Sequence, residues 1–562
     1  MEGEAESPET PSSPWLSRTF GTSMSMHVDR GVGAMSISPS HRDVVLGSRA
    51  GLYVLDLDDP FVPPRFLPHH TAWEVADVQW SPHAAKHTWI VSTSNQKAMV
   101  WNVALPSARA IEHVLHAHSR AITDINFHAH DPERLATCAI DAFVYTWDMR
   151  RPQRPAGQFC DWRAGATQVK WSRRNPHVVA SSHDRFVRVW DDRMGARPLR
   201  SIRAHDTKIN GIDFSRVDES RLLTCSLDKT IKLWDYAAPG ETPLHVVHTE
   251  FPVWRARHLP FGRGYVAMPQ RGGGDAVYIA TGPGAPDAAA APCAHETLDP
   301  AVVLGGPGGG GHTGPVKEFL WRSRGGEAGF ENREFQLVTW GRDNDLRLWA
   351  ITPDMLDRLH FRRGARIPFN LTRHGAPYRT FSREPAAAAA APAGIVQAPR
   401  ASMTRGSGQQ HAISQLKWLA GVRVGRAAFA AVPDARTDNL GSEVSAVGRL
   451  FPHIVFEQIK VSKGRVVLAL NGPWGDDGAL VFLRATVSFP PSYPAAPPVF
   501  AFEESKTLTP GRLADLRAGV DRIAADAAAR GRFSLERCLR YLVGDAVDAK
   551  PDDDSSDDEL IV

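Results

Sequence analysis

The feature that most constrains this chain is a tryptophan that ends a short alternating strand and recurs at a nearly fixed spacing. The stretch TIKLWD, which ends at Asp235, alternates apolar and polar side chains as a half-buried strand does. Trp101, Trp147, Trp190 and Trp234 follow one another at intervals of 46, 43 and 44 residues. A period of about 40 to 45 residues with a Trp-Asp ending is typical of a four-stranded propeller blade. Because one such sheet cannot bury both faces alone, we predict an all-β WD-repeat propeller.

The repeat accounts for seven blades. Residues 35–57 form a degenerate first blade, and the four tryptophans end the next four. Residues 254–280 form the sixth blade and residues 315–351 the seventh. Closing the ring removes the exposed edge of the last sheet, and we expect a strand from residues 15–32 to complete it.

Each blade ending is preceded by a turn residue, usually aspartate, six positions before the tryptophan. We predict that this aspartate binds turn amides and a histidine at the edge of the blade, so that these residues hold the fold. The predicted structural residues are His118, Asp141, Trp147, Asp184, Trp190, His205, Asp228, Trp234, His312, Asp343 and Trp349.

The composition of the sequence changes after the last blade. A linker with the stretch PAAAAAAPAG is followed by apolar residues at about helical spacing, which either dock a partner or pack on a neighbouring domain. Then come one helix, a four-strand meander and two further helices, an α+β arrangement. The predicted organisation is a disordered start (1–14), the propeller (15–351) with a low-complexity insertion (281–311), a linker (352–435) with a candidate docking segment (411–425), an α+β domain (436–546) and an acidic disordered tail (547–562).

Composition and charge exclude several classes of function. Lys and Arg number 65 and Asp and Glu 62, which gives no reason to expect binding to nucleic acid or to anionic lipid. The 5 cysteines are scattered, which favours a reduced cytosolic protein without a zinc site. We expect no signal peptide, no membrane span and no cofactor, because the start is acidic and apolar runs are short.

One stretch of the α+β domain resembles a known family. SYPAAPP places Tyr493, Pro494, Pro497 and Pro498 after the third meander strand, and it resembles the Tyr-Pro turn of the RWD domain, a relative of the ubiquitin-conjugating fold. A WD-repeat propeller followed by an RWD domain resembles one subunit of the SEA complex, whose animal counterpart belongs to the GATOR assembly. The likeness covers about residues 30–545 and includes TSNQKAMVWN, HTGPVKEFLWR and LGSEVSAVGRLFPHIVFE.

The resemblance implies a function that composition and periodicity do not. By resemblance, the chain is a non-enzymatic scaffold that assembles with other propeller subunits. Its arm of the assembly opposes the GTPase-activating complex for Rag GTPases and so favours amino-acid signalling to TOR complex 1. The resemblance also implies a cytoplasmic location, peripheral on the vacuolar or lysosomal membrane through partners.

The chain departs from the family pattern in one respect. Members typically carry a further C-terminal region that ends in a RING-like zinc module of paired Cys and His. No such cluster precedes Val562, so we expect a fragment, a short gene model or a truncated homologue. If that module normally holds the subunit in its complex, the assembly of this chain is in question.

Several motifs look catalytic or metal-binding but have a simpler structural interpretation. Conjugating chemistry needs a cysteine and an asparagine soon after the proline turn, and the sequence after Pro498 has neither, while Cys538 packs on the last helix. The glycine run GGPGGGGHTG lacks the Lys-Ser/Thr of a phosphate loop. Neighbours on a strand point to opposite faces, so Ser181, His183 and Asp184 should not converge as a triad requires. His116 and His118 precede a strand and His128 and His130 follow it, roughly 30 Å away if the strand is extended, so they should not form one metal site.

An alternative function rests on two short motifs. WDMR and WDDR place Arg150 and Arg193 after the Trp-Asp endings of successive blades. They resemble the box with which propeller receptors dock on cullin ubiquitin ligases, where the arginine reaches an acidic surface on the adaptor. In the simpler interpretation, both arginines are ordinary solvated residues at strand ends. The sequence leaves this receptor function open as the alternative.

Overall fold

The structure is a computed structural model that describes most of the chain. The described residues are 13–69, 71–282, 294–306, 311–326, 329–367, 373–385, 411–425, 439–475, 479–503 and 508–544. The predicted acidic disordered tail lies outside them, as does the predicted disordered start except for residues 13 and 14. The chain divides into two compact units, Met1–Ile413 with Arg423–Asp434 and Ser414–Val422 with Ala435–Val562.

The first unit consists mainly of small antiparallel sheets that follow one another along the chain. Its first strand, β1 (Met24–His27), belongs to the last of these sheets. The first four sheets contain β2 (Val32–Ile37), β3 (Asp43–Ser48), β4 (Gly51–Asp56) and β5 (Arg65–Pro68); β6 (Val78–Trp80), β7 (Trp89–Ser94), β8 (Lys97–Asn102) and β9 (Ile111–His116); β10 (Ile122–Phe127), β11 (Arg134–Ala139), β12 (Phe143–Asp148) and β13 (Gly157–Cys160); and β14 (Ala166–Trp171), β15 (Val178–His183), β16 (Phe186–Asp191) and β17 (Arg200–Arg203).

Three further sheets complete the series. The fifth sheet contains β18 (Ile209–Phe214), β19 (Arg221–Ser226), β20 (Thr230–Asp235), β21 (His245–His248) and the later strand β25 (Ala294–Thr297). The sixth contains β22 (Val253–His258), β23 (Tyr265–Pro269), β24 (Val277–Ala280) and β26 (Val302–Leu304). The seventh contains β27 (Val316–Arg324), β28 (Glu334–Gly341) and β29 (Asp345–Ala350), together with β1 and β30 (Val422–Val424). Short 3-10 helices occupy Pro14–Leu16, Ala84–Lys86 and Ser107–Arg109.

The insertion expected at residues 281–311 is therefore not wholly a loop. β26 pairs with β24 as the outer strand of the sixth sheet, and β25 pairs in parallel with β21. Val302 and Leu304 are buried, whereas Val303 between them is exposed, as on a half-buried strand. These strands are too short to stand out from the glycine- and alanine-rich sequence around them.

The seven sheets close into a ring. The first strands of the first six sheets lie side by side, and β2 contacts β27. The sixth and seventh sheets are joined by Arg257 on β22, which pairs with Glu318 on β27. β1 pairs antiparallel with β29, with Met24 opposite Leu348 and His27 opposite Asp345. This is the closing strand that we expected from residues 15–32. The described residues of the first unit thus have a β-propeller-type fold.

The recurring tryptophans fill the space between neighbouring sheets. Trp101 packs with Val45 and Val54 of the first sheet, and Trp147 packs with Val91 and Val100 of the second. Burying a tryptophan removes roughly 200 Å² of surface from water, which contributes about 5 kcal/mol before entropy costs. The fixed spacing along the sequence therefore reflects one packing site that repeats around the ring.

A buried group of charged residues lies where the ring closes. Arg322, on β27, donates to Asp58 at 2.5 Å. Arg42 donates to Asp56 at 2.7 Å, and the Tyr378 hydroxyl donates to Asp58 at 2.7 Å. The side chains of Arg42, Asp58 and Arg322 are at most 1% exposed. We did not predict this group from the sequence.

Part of the segment expected to be a linker, residues 352–435, packs on the first unit. It contains α1 (Pro353–Arg358) and the buried Phe381, whose ring centroid lies 6.0 Å from that of Trp80. In the candidate docking segment, the Tyr53 hydroxyl donates to the His411 carbonyl, and the Gly425 amide donates to the Ser23 carbonyl. We predicted a linker because the polyalanine stretch dominates the composition of this region, and the few residues that pack on the first unit form no pattern in the sequence.

The second unit combines helices with one antiparallel sheet. Helix α3 begins after Asn439, whose side chain accepts from the Ser442 amide, and it buries Val444 and Val447. The Ser445 hydroxyl donates to the Leu416 carbonyl of the first helix in this unit. The elements are α2 (Gln415–Leu419), α3 (Leu440–Leu450), β31 (Val455–Lys460), the 3-10 helix Val461–Lys463, β32 (Arg465–Gly472), β33 (Val481–Ser488), β34 (Val499–Phe502), α4 (Pro510–Ala529) and α5 (Leu535–Val543).

Replacing the buried arginine at the closure should open the ring. Arg322→Met leaves the Asp58 carboxylate without its closest cation, and we expect the free energy of unfolding to fall by about 3 to 5 kcal/mol. Chemical denaturation of the full chain measures this loss. Arg358→Met is the matched control, because Arg358 is exposed and pairs only across one helix turn with Asp354, so its effect should stay below about 1 kcal/mol. Equal losses in both variants would contradict this account of the closure.

Candidate functional site

A chain of hydrogen bonds links four side chains in the third sheet. The Trp147 indole Nε1 donates to Thr137 Oγ1 at 2.9 Å, and Thr137 Oγ1 lies 2.9 Å from His118 Nε2. His118 Nδ1 lies 3.1 Å from Asp141 Oδ2. The same carboxylate accepts from the Ser119 amide at 2.8 Å. We call this arrangement the Trp-Thr-His-Asp relay.

The relay recurs in the fifth and seventh sheets. There the indole donates to the threonine at 2.9 and 2.8 Å, respectively. The threonine lies 2.7 and 2.8 Å from the histidine Nε2, and the histidine Nδ1 lies 2.9 Å from the carboxylate in both. The residues are Trp234, Thr224, His205 and Asp228 in the fifth sheet, and Trp349, Thr339, His312 and Asp343 in the seventh.

The chemistry of these groups fixes the direction of each relay. A carboxylate only accepts, so the histidine Nδ1 carries the proton, and the unprotonated Nε2 accepts from the threonine hydroxyl. Burial lowers the pKa of His205, consistent with a neutral ring. Burial is the largest single effect on Asp228 and opposes its ionisation, but the interactions with His205, Thr230 and the Asp206 amide together outweigh it and lower the pKa of Asp228 to about 2. Every polar atom of the relay is thereby satisfied, as a structural role requires.

The fourth sheet departs from this pattern, and the prediction for Asp184 fails there. Asp184 lies at the tip of the turn with φ of 52°, and its side chain is 55% exposed and 3.7 Å from Arg185. His183 instead hydrogen-bonds Ser181 Oγ through Nε2 and donates from Nδ1 to the Ala164 carbonyl. The histidine sits on the strand itself, so a backbone carbonyl takes the place of the aspartate.

The two arginines of the alternative hypothesis lie on the surface and contact carboxylates of their own chain. The Arg150 side chain is 56% exposed and lies 2.7 Å from Asp131 and 2.9 Å from Asp148. The Arg193 side chain is 62% exposed and lies 2.7 Å from Asp191. Each guanidinium therefore already has an anionic partner within its own blade.

The proline turn of the second unit holds a buried carboxyl group. The Tyr493 hydroxyl lies 2.9 Å from Glu443 on α3 and accepts from the Ser534 amide at 2.8 Å. Glu443 also accepts from the Leu535 amide, at the start of α5, at 2.7 Å. Burial raises the pKa of Glu443 to about 7. The turn thus ties α3 to α5. Of the other predicted turn residues, Pro494 follows a cis peptide bond, and Pro497 and Pro498 lead into β34.

The repeats agree with a known family model. The model described as "WD domain, G-beta repeat" matches residues 110–148, 157–191 and 196–235. These residues include the relays of the third and fifth sheets and the altered fourth sheet. The chain contains WD repeats.

Relatives of this chain cover nearly all of its length. It is 43% identical over 542 residues to "Maintenance of telomere capping protein 5" of Saccharomyces cerevisiae, an alignment that covers 95% of this chain and 46% of that protein. It is 42% identical over 577 residues to an RWD, RING finger and WD repeat-containing protein of Schizosaccharomyces pombe, covering 94% of this chain and 42% of that protein. The chain thus spans less than half the length of these curated relatives.

More distant relatives carry the name of a complex. The WD-repeat chain is 30% identical over 324 residues to the human "GATOR2 complex protein WDR59", an alignment that covers 57% of this chain and 31% of that protein. These likenesses support a WD-repeat family similar to GATOR2 subunits and do not single out one subunit.

The other sequence motifs do not assemble into reactive sites in the described part of the chain. Cys538 is fully buried, and burial raises the pKa of its thiol to about 12. No group of three or more His, Cys, Asp or Glu side chains there could hold a metal ion. Ser181 and His183 are bonded, but both are buried and Asp184 points away from them. The glycine run lies partly outside the described residues. None of the described helices has the length and apolar character needed to cross a membrane.

The threonine of the relay is a functional residue that we did not predict from the sequence. Thr137, Thr224 and Thr339 each lie ten residues before the blade tryptophan, the separation between the donor and acceptor of each indole hydrogen bond. Each is also four residues before the turn aspartate. This second fixed spacing was available in the sequence and would have identified them.

Replacing one relay threonine should destabilise the propeller. Thr224→Val keeps the shape but leaves the Trp234 indole N–H without an acceptor and His205 Nε2 without a donor. Two buried groups at about 1 to 3 kcal/mol each predict a loss of roughly 2 to 6 kcal/mol in the free energy of unfolding. Thr297→Val, on an exposed strand position, is the matched control and should change it by less than about 0.5 kcal/mol. A Thr224→Val variant as stable as wild type would show that the relay contributes nothing.

The second unit should lose stability as the pH rises through 7. Because the pKa of Glu443 is raised from 4.5 to about 7, its proton stabilises the fold fully below about pH 4.5, and this contribution is lost as the pH rises through 7. The quantity to compare is the hydrogen-exchange rate of the α5 amides in wild type divided by the rate in Glu443→Gln. We expect this ratio to be about tenfold higher at pH 8 than at pH 5. Glu457→Gln, at an exposed position, should behave as wild type at both pH values. A ratio that is independent of pH would contradict the assignment.

Proposed function

We propose that this WD-repeat chain is a non-enzymatic scaffold, an interaction subunit of a GATOR2-like complex of the SEA type. The observation that carries the proposal is the breadth of the likeness: the same chain resembles WD-repeat relatives over nearly its whole length and a named GATOR2 subunit over 57% of its length. A closed ring of sheets presents rigid rims and loops, which suits the assembly of partner proteins. The proposed partners are other propeller subunits of the complex.

We further propose that residues 436–546 form a non-catalytic RWD domain. The order of α3, the four-stranded sheet, α4 and α5 supports this assignment, as does the Tyr493 turn that bonds Glu443. The RWD relative in Schizosaccharomyces pombe also supports it. A conjugating cysteine must be exposed and ionisable, whereas Cys538 is buried and its pKa is raised.

The finer function rests on the family resemblance. The complex would oppose the Rag GTPase-activating complex and so favour amino-acid signalling to TOR complex 1. The chain would then be cytoplasmic and reach the vacuolar or lysosomal membrane through its partners.

The alternative, a substrate receptor of a cullin ubiquitin ligase, depends on Arg150 and Arg193. Both are exposed, as that function requires. Both also contact carboxylates of their own blade, so an adaptor would have to compete with those contacts. We therefore favour the scaffold.

Affinity purification of the full chain from its own cells, followed by mass spectrometry, separates the two functions. We expect near-stoichiometric recovery of other propeller subunits with wild type and with the double variant Arg150→Ala, Arg193→Ala. Arg151→Ala with Arg197→Ala is the matched control, because both arginines are exposed near the same strand ends. In cells lacking the protein, phosphorylation of a TOR complex 1 substrate after amino-acid addition should fall.

Other outcomes would decide against the proposal. A cullin adaptor that is recovered with wild type and the control but lost with the double variant would establish the receptor function. Recovery of neither set of partners would contradict both functions for this chain.

A further inference from the structure

A cavity lies at the centre of the propeller, where the first strands of all seven sheets end. Its volume is about 330 Å³, and its wall contains residues from the C-terminal ends of β2, β6, β10, β14, β18, β22 and β27. This volume is at the lower end of the range for small-molecule sites, roughly 300 to 1,000 Å³. Basic side chains are prominent in the wall, namely Lys170, Arg173, Arg216, Arg257, Arg333 and Arg373.

Most of these cations have carboxylate partners. Lys170 lies 2.6 Å from Asp124, and Arg257 lies 2.8 Å from Glu318. Arg333 lies 2.5 Å from Glu331, and Arg173 lies 3.3 Å from Asp213. Asp213 is shared, because His258 Nδ1 lies 3.1 Å from the same carboxylate. The acidic groups around the cavity are thus already engaged.

Arg216 differs from its neighbours. In the described part of the chain it forms no ion pair and no hydrogen bond, and its Nε is buried without a partner. Arg173 Nε is buried without a partner as well. Burial, reinforced by the positive charge of Arg173, lowers the pKa of Arg216 to about 9 although Asp213 opposes the shift. Arg216 is half-buried, and a cation that is partly removed from water and has no ion-pair partner costs free energy unless an anion compensates it.

We propose that the central cavity binds a small phosphate-bearing anion and that Arg216 is the residue that pairs with it. A guanidinium group presents paired N–H donors that match two phosphate oxygens, and Arg173 supplies a further free N–H in the same wall. The wall is part of a rigid ring, so these donors are held in place before the anion arrives. This site is independent of the proposed scaffold function, since it involves neither the rims nor the second unit.

Calorimetric titration of the full chain with pyrophosphate, at constant ionic strength, tests the site. We expect saturable binding of one anion per chain to wild type and at least a tenfold weaker Kd for Arg216→Met. The control Arg203→Met removes an arginine that is 57% exposed outside the cavity, and it should leave Kd unchanged. Without anion, Arg216→Met should raise the thermal midpoint, because it removes a half-buried charge that has no ion-pair partner, whereas the loss of a purely structural arginine would lower it.

Three results would overturn the proposal. A lack of saturable binding to wild type at millimolar pyrophosphate would mean that the cavity takes no such anion. Equal Kd values for wild type and Arg216→Met would place binding elsewhere on the chain. Tighter binding of citrate than of pyrophosphate would assign the cavity to carboxylates rather than to phosphates.

Discussion

The pairing of β1 with β29 is the interaction on which the rest of the propeller depends. Every sheet buries its faces against two neighbours, and only a closed ring provides both for the first and the last sheet. Backbone pairing alone would leave the closure easy to open. The buried contact of Arg322 with Asp58 adds a charged bond across it, in a setting where an unpaired partner would be costly. Closure is thus both hydrogen-bonded and electrostatically specified.

The relays connect different parts of one sheet. In the third sheet, the relay joins the segment before β10 to β11, to β12 and to the turn between β11 and β12. A tryptophan packs between sheets but carries an N–H that needs an acceptor. The threonine hydroxyl accepts the hydrogen bond from the indole and donates to the histidine, and the histidine donates to the aspartate. The aspartate also accepts from a backbone amide, which in the third sheet is that of Ser119, just before β10. The fourth sheet keeps the tryptophan and replaces the threonine by Ser181. Packing at the tryptophan site is therefore more constant than the polar chain that supports it.

The features that could be predicted from the sequence are those that repeat at a regular spacing, and the contacts between distant residues could not be predicted. The tryptophan spacing, the turn aspartates and the helix–meander–helix order follow from local patterns, so the propeller-type fold and most strands could be predicted. Arg322 and Asp58 lie 264 positions apart, and no local pattern links them. Asp184 has the spacing of the other turn aspartates, but in this sheet the histidine is His183, on β15 itself, and Asp184 is exposed. Phe381 packs against the core from a segment whose composition suggests a linker.

Sequence motifs and the electrostatic environment indicate different arginines as candidate binding residues. WDMR and WDDR draw attention to Arg150 and Arg193, but water and neighbouring carboxylates already compensate these exposed charges. Arg216 belongs to no motif. Its distinction is that it is half-buried in the wall of the cavity with a buried Nε that has no hydrogen-bond partner. Arg216 and Arg173 both line the central cavity and both carry a buried Nε without a hydrogen-bond partner, and a bound anion would satisfy these donors.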